Sequence, residues 1–252
     1  MENIVFITGA SSGIGKACAE KFAAAGFPLI LLARRKDRLT LIKDRLEKTY
    51  PIQVTILTCD VRDREAVSRS IGSLPDQWQG ISVLLNNAGL AMGFSTIGEG
   101  DPDDWDTMID TNVKGLLYVS RAVIPFMRTR KTGHIINIGS TAGKNVYPKG
   151  NVYCATKQAV DALSKAMRID LLSDRIRVTA IHPGAAETEF ALVRFRGNEQ
   201  QAKEVYKGYE PLKPEDLAEI IFFCASRPGN VCINDLVVTP LSQADANYFY
   251  KQ

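Results

Sequence analysis

"NIVFITGASSGIGKA", residues 3–17, carries the reading on which the fold turns. A short β-branched, apolar run ends at Thr8. Glycines follow at 9, 13 and 15, and the apolar residues beyond them (Ala17, Phe22, Ala25) have helical spacing. Strand, glycine-rich turn and helix in that order form the first unit of a nucleotide-binding βαβ. The spacing G-x-x-x-G-x-G of Gly9, Gly13 and Gly15 differs from the more familiar G-x-G-x-x-G, but the physics is shared. Glycine permits the tight turn and lets a pyrophosphate approach a helix N-terminus, where free N–H groups and the dipole favour anions. Ser11 and Ser12 add hydroxyl donors. One glycine suffices for a plain strand-to-helix turn, so three glycines with two serines point to a phosphate loop.

Outward from this stretch the same alternation repeats. Short apolar runs occur at about 3–8, 28–33, 52–58, 81–86, 133–139, 176–182 and 235–239, with longer helix-periodic segments between them, such as Val160, Leu163, Met167 and Leu171. Near-continuous apolar strands separated by helices predict a parallel sheet covered on both faces. Right-handed crossovers then give a doubly wound, seven-stranded sheet. No linker or composition break divides the chain, so residues 1–252 are expected to form a single α/β domain of Rossmann type. The longest irregular insertion, at about 185–214, has the length of a lid or binding loop.

Composition narrows the partners. The 252 residues are 45% apolar and carry 31 basic and 28 acidic side chains, a formal net charge of +3. So even a balance implies neither a nucleic-acid nor a membrane partner. No signal peptide or membrane span is visible. The five cysteines (18, 59, 154, 224 and 232) lack C-x-x-C spacing and read as reduced thiols of a cytoplasmic protein. His134 and His182 are far apart with no clustered ligands around them, so no metal site is expected.

The ends of the successive strands carry the chemistry. "LLARRKDR" (31–38) closes the second strand, where NAD sites place an acid that holds the ribose 2′-hydroxyl. Here Arg34 and Arg35 stand instead, with no carboxylate before Asp37. Arginine pairs with the 2′-phosphate of NADP, so NADP(H) is the expected cofactor. "CDVRD" (59–63) puts Asp60 where a carboxylate can accept from the adenine amino group, with Val61 beside the ring. "NNAG" (86–89) supplies amides and small residues at the fourth strand end. In "NVYCATKQAV" (151–160), Tyr153 and Lys157 are four apart and share one helical face. The chain's second match to this spacing, Tyr209 and Lys213 in "YEPLK", is an internal control, because Pro211 and Pro214 oppose a continuous helix there.

With "TGASSGIG" (8–15), "NNAG", Asn112 in "TNVKG", Ser140 in "IGSTAG", "YCATK" (153–157) and "HPG" (182–184) in this order, the chain resembles the short-chain dehydrogenase/reductase family along essentially its whole length. The resemblance implies a catalytic tetrad of Asn112, Ser140, Tyr153 and Lys157. It further implies cofactor contacts from Ile14, Asn87, Ala88, Gly89, Pro183 and Gly184, with Thr188 at the nicotinamide carboxamide and Lys157 on the nicotinamide ribose hydroxyls. Tyr153 would pass a proton to or from the substrate oxygen, with Ser140 hydrogen-bonded to that oxygen and Asn112 organising a water beside the lysine. A phenol has a pKa near 10, and a cation about 4 Å away at an effective dielectric near 20 lowers it by roughly three units at most. Lys157 is therefore expected to draw Tyr153 down. His182 is read as packing under the nicotinamide, not as a base.

After Gly184, "VRFRG", "AKEVY", Glu189 and Phe190 resemble a branch of NADP-dependent 3-hydroxy acid dehydrogenases that oxidise serine, allo-threonine and related short acids. Arg194 is the candidate carboxylate clamp, with Arg196 competing, and Lys144 and Lys149 add charge near the mouth. NADP(H)-linked oxidoreduction of a short 3-hydroxy acid is the leading expectation. The alternatives are a broad-specificity carbonyl reductase acting on ketones and aldehydes, and a cofactor-sensing protein of this fold without turnover. The segments at 103–130 and 151–173 resemble the family's interface helices and imply a homo-oligomer, dimer or tetramer.

Overall fold

The computed structural model describes residues 3–252. Seven strands, β1 (Ile4–Thr8), β2 (Leu29–Ala33), β3 (Val54–Thr58), β4 (Ile81–Asn86), β5 (Gly133–Ile138), β6 (Ile176–Pro183) and β7 (Asp235–Val238), form one parallel sheet in the order β3-β2-β1-β4-β5-β6-β7. Each lies where an apolar run predicts one. The chain walks outward from β1 to β3, then returns to the other side of β1 through β4. That reversal leaves a crevice above the carboxyl ends of β1 and β4.

β1 shows why both faces must be covered. Its five residues are all inaccessible, and because successive side chains point to opposite faces they divide between two cores. Val5 and Ile7 join α1 (Gly13–Ala24), α2 (Lys36–Thr49) and α9 (Pro214–Ala225) on one side. Ile4 and Phe6 join α3 (Arg64–Gly72), α5 (Leu116–Arg130) and α6 (Asn151–Asp170) on the other. Each fully buried Phe or Ile contributes roughly 1.5–3 kcal/mol relative to exposure. A polar substitution at any of these four would damage one core or the other.

α6 positions the chemistry. Tyr153, Lys157, Val160, Ser164 and Met167 are buried and spaced by three or four, forming one stripe against the sheet. α4 (Pro102–Ile109) runs into α5 through a π-helical turn, Asp110–Gly115, that contains Asn112. Two expectations are corrected. Ala25 lies exposed at the end of α1, outside the core. The stretch 185–214 is not irregular: it folds into α7 (Phe190–Arg194) and α8 (Glu199–Glu204), pinned by a bridge between Ala186 and Leu212. Local helix spacing in "FALVR" and "EQQAKE" is too short to stand out from a charged sequence.

Candidate active site

The glycine turn is fixed by its neighbours. Gly9 takes φ +65°, a left-handed conformation that disfavours side chains. A Cβ on Gly15 would stand 2.5 Å from the Gly9 carbonyl oxygen and 2.6 Å from the Asn87 amide nitrogen. Asn87 donates to the carbonyls of Thr8 (2.9 Å) and Gly9 (3.3 Å), while the Thr8 hydroxyl accepts from the Asn87 and Ala88 N–H groups. "TGASSGIG" and "NNAG" thus interlock across the crevice. α1 has no acidic residue in its first turn, and the Ser12 side chain makes no capping bond, leaving N-terminal donors for an anion.

Ser11 and Ser12 instead accept from Arg35, at 3.1–3.2 Å and 2.8 Å. Arg34 is more exposed, with Asp60 3.9 Å away. Arg38, at the first turn of α2, shares the Glu189 carboxylate with Arg35 and carries no signal of its own in the sequence beyond its place three positions after Arg35 at a helix start. Asp60 lines the cavity and is held by a neighbour. Its oxygens already take Arg62, with the closest contact at 2.8 Å. Burial pushes its carboxyl up, but the bonds and charge of Arg62, with Arg34 beyond, hold it below the usual range. Val61 is buried against Gly115.

Tyr153 and Lys157 are both nearly inaccessible. The Lys157 ammonium donates to the Ile138 carbonyl at 2.9 Å and lies 5.9 Å from the centre of the Tyr153 ring. A Cβ on Gly89 would stand 3.3 Å from Asn112 Oδ1 and 3.4 Å from Lys157 Nζ, so that glycine makes room for both. The Asn112 amide is fully engaged: it exchanges bonds of 2.8 Å with the Leu90 N–H and carbonyl, and donates to Thr156. The Ser140 hydroxyl accepts from the Ala142 N–H and caps the turn Thr141–Gly143, two residues past the end of β5.

The electrostatics differ from expectation in one respect. Burial of Tyr153 pushes its phenol well above the ordinary value, with Tyr147 adding to the rise, while the Ser140 hydroxyl and Arg194 work against it. Burial outweighs the lowering expected from Lys157, whose own pKa burial brings to about 8, leaving it mostly charged at neutral pH. Tyr153 therefore holds its proton at neutral pH.

Arg194 leans over the same ring. Its guanidinium lies 5.8 Å from the Tyr153 centroid and 4.8 Å from that of Phe94, donates to the Tyr147 hydroxyl at 2.9 Å, and binds the Gly93 carbonyl. Arg196 turns away and pairs with Asp101 and Asp104 at 3.0 and 2.9 Å. Phe190 packs on Tyr153 at 5.5 Å between centroids. Arg194, Phe94, Tyr147, Tyr153 and Phe190, with Gly9, Gly13, Pro183, Gly184 and Thr188, line one cavity of about 1050 Å³. Phe94, Tyr147 and Gln243 had not been singled out. Gln243 accepts from the Ala185 N–H and fixes the chain after β6 from 58 residues away, a pairing no local pattern announces.

The two extra lysines are placed differently. Lys144 bridges Asp161 and Asp235 at 3.0 and 2.6 Å, and Lys149 rests 5.9 Å from the Phe94 ring centre. His182 is inaccessible, with Asp235 3.3 Å and Asp161 3.6 Å from its Nε2. Burial and the Lys144 charge lower its pKa. Ligand atoms of Asp161, His182 and Asp235 come within 4.8 Å of one another, a convergence the spacing of two histidines does not suggest. The Lys144 ammonium supplies the cation there. Tyr209 and Lys213 occupy a turn and the start of α9, outside any shared helix. Among the described residues no helix is long and apolar enough to cross a membrane.

Comparison with known proteins matches this arrangement. The family model for short chain dehydrogenases covers residues 3–198. The chain is 45% identical over 249 residues to the NADP-dependent 3-hydroxy acid dehydrogenase of Schizosaccharomyces pombe, covering 98% of this chain and 96% of that one. It is 44% identical to sulfoacetaldehyde reductase 2 of Chromohalobacter salexigens, covering 97% and 96%. The closed form of a serine dehydrogenase complexed with NADP+ superposes with a TM-score of 0.92 at 42% identity, covering 99% of both chains. The interlocked glycine turn, the buried Tyr153–Lys157 pair and the full-length match together show that this chain belongs to the short chain dehydrogenase family.

Proposed function

We propose that the chain is an NADP(H)-dependent oxidoreductase of short 3-hydroxy acids. One observation carries the substrate class: Arg194 is held over Tyr153 with a hydrogen bond to Tyr147. A guanidinium so placed can take a carboxylate in its planar fork while the substrate hydroxyl lies at the phenol. The residues fit the cofactor. Gly9 and Gly15 leave a groove that a Cβ would fill, the first turn of α1 bears no acid, and Arg34, Arg35 and Arg38 gather where a 2′-phosphate would bind. The names of the relatives support the same cofactor.

The bound nicotinamide would supply or accept the hydride at the substrate carbon. Everything else falls to the chain. Tyr153, a phenol at neutral pH, gives its proton to the oxygen of a carbonyl as that oxygen gains charge. Ser140 is a hydroxyl donor for the same oxygen. Lys157 stands beneath, its charge available below about pH 8, to hold ribose hydroxyls and to return a proton to the tyrosine. Asn112 acts through structure: it ties Leu90 to Thr156, one turn from Tyr153 on α6.

The sulfonate-handling name among the relatives favours a second reading, in which the anion on Arg194 is a sulfonate. A broad carbonyl reductase would leave Arg194 without a partner in its substrate. The five free thiols fit a reducing cytoplasm, and the exposed Ile169 and Leu172 at the end of α6 fit a homo-oligomer. The test is turnover with NADP on L-serine, L-allo-threonine and 3-hydroxypropionate. Activity on at least one is expected, falling about 10²–10⁴-fold in Tyr153→Phe. No turnover on any of the three removes the substrate assignment, and an unimpaired Tyr153→Phe removes the mechanism.

A further inference from the structure

We propose that Glu189 sets the affinity for the cofactor's 2′-phosphate, as a built-in counter-ion that the phosphate must displace. The proposal rests on the reading of Arg34, Arg35 and Arg38 as the phosphate's partners. Glu189 immediately precedes α7, and its two oxygens are divided between two arginines of the β2–α2 junction: Oε2 accepts from Arg35 Nη1 at 2.9 Å and Oε1 from Arg38 Nη1 at 2.5 Å. The partners are separated by 154 and 151 residues in sequence. The pair therefore bridges the cleft from one wall to the other. The neighbouring Thr188 closes the same gap, with its Cβ 3.3 Å from where a Cβ of Gly13 would stand.

Arg35 has little left to offer a second anion in this arrangement. A guanidinium presents five N–H donors in a fixed fork. Nε and Nη2 are engaged by the hydroxyls of Ser11 and Ser12, and Nη1 by Glu189. Burial pushes the Glu189 carboxyl up, but the bonds and charges of Arg38 and Arg35 outweigh it and hold it below the ordinary range, so it is an anion at neutral pH. A carboxylate and a phosphate dianion cannot share these donors without like-charge repulsion. One has to leave, and the phosphate carries more charge and more acceptor atoms.

The displaced residue is no bystander. Glu189 lies between Thr188 and Phe190, whose ring packs on Tyr153, and α7 carries Arg194. A 2′-phosphate takes the place of the carboxylate on the arginine donors, whereas a nucleotide without that phosphate leaves the bridge intact. Glu189 thus lowers affinity for NADP(H) specifically. It is a positioning and specificity residue, acting through the arginines.

The test is direct binding without substrate. Dissociation constants for NADPH and NADH are measured by nicotinamide fluorescence at fixed ionic strength, for the native chain and for Glu189→Gln. Because the pairs are half-exposed, NADPH is expected to bind about three- to tenfold more tightly to the variant, with NADH unchanged within about twofold. Weaker or unchanged NADPH binding, or an equal shift for both nucleotides, overturns the proposal. A native chain that binds NADH as tightly as NADPH instead overturns the arginine reading beneath it.

Discussion

On the β1–β4 side of the cleft, the contacts are made to main chain and to glycines with no room to spare. Asn87 fastens the carbonyls of Thr8 and Gly9, Gly15 lies against the Gly9 carbonyl, and Gly89 stands where Asn112 and Lys157 converge. On the α7 side, side chain meets side chain: Arg194 with Tyr147, Arg196 with Asp101 and Asp104, Glu189 with Arg35 and Arg38. The first wall has no space for an added carbon, so its residues are fixed by the backbone they touch. The second can exchange one contact at a time while the sheet stays still. That difference explains how proteins about 45% identical to this chain over nearly its whole length can bear names as different as 3-hydroxy acid dehydrogenase and sulfoacetaldehyde reductase.

The contrast can be broken at its rigid side first. Gly15→Ala should cost roughly 3 kcal/mol, because the methyl meets a backbone oxygen that cannot rotate away. Thermal or urea unfolding measures it, and cofactor binding should fall with it for every substrate alike. A stable variant with normal cofactor affinity would show that the wall yields. Arg194→Ala probes the adjustable side. Loss of a charged hydrogen bond of roughly 2 kcal/mol predicts about a 30-fold drop in kcat/KM for a hydroxy acid. An uncharged alcohol of the same length should lose little, and unfolding should hardly change. Equal losses on both substrates would mean that Arg194 supports Tyr147 and Phe94 and does not hold an anion.

The smallest effect near neutrality is the pH response where the walls meet. Lys157 has its folded pKa lowered to about 8 from 10.5 by burial. Protonated Lys157 is thus disfavoured in the folded chain, and that penalty is present below pH 8. Between about 8 and 10.5 the unfolded state binds more protons, so this group's contribution to stability rises with pH. Reduction needs the charge, so kcat/KM for a carbonyl substrate should fall above pH 8, by up to about tenfold per unit. A flat profile from 7 to 9.5 would remove Lys157 from the proton path.

The rigid wall was the legible one. Strand positions, the glycine turn, "NNAG" and the Tyr153–Lys157 stripe could be read because each depends on residues close in sequence or on a periodic apolar pattern. The two Y-x-x-x-K matches show the limit of spacing alone: one lies on a buried helical stripe and the other in a turn, and only the prolines told them apart. The adjustable wall was less legible because its meaning is in pairings between residues 47 to 154 apart. Glu189 could be matched to a branch of the family but not to its arginine partners, Lys144 could be read only as charge near the mouth, and Arg38 carried no local signal. The lowered Tyr153 pKa expected from charge pairing failed for a related reason: burial depth is a property of the whole fold, and here it outweighs the neighbouring amine.

The lysine that bridges Asp161 and Asp235 gives the sheet's outermost strand a stake in the chemistry. Asp161 lies one helical turn beyond Lys157, which lies one turn beyond Tyr153, and Asp235 opens β7. Edge strands commonly fray, and loosening this one would carry Asp235 away from Lys144 and from the sealed imidazole of His182. Fraying at the rim would thus be transmitted along α6 to the phenol, two turns away.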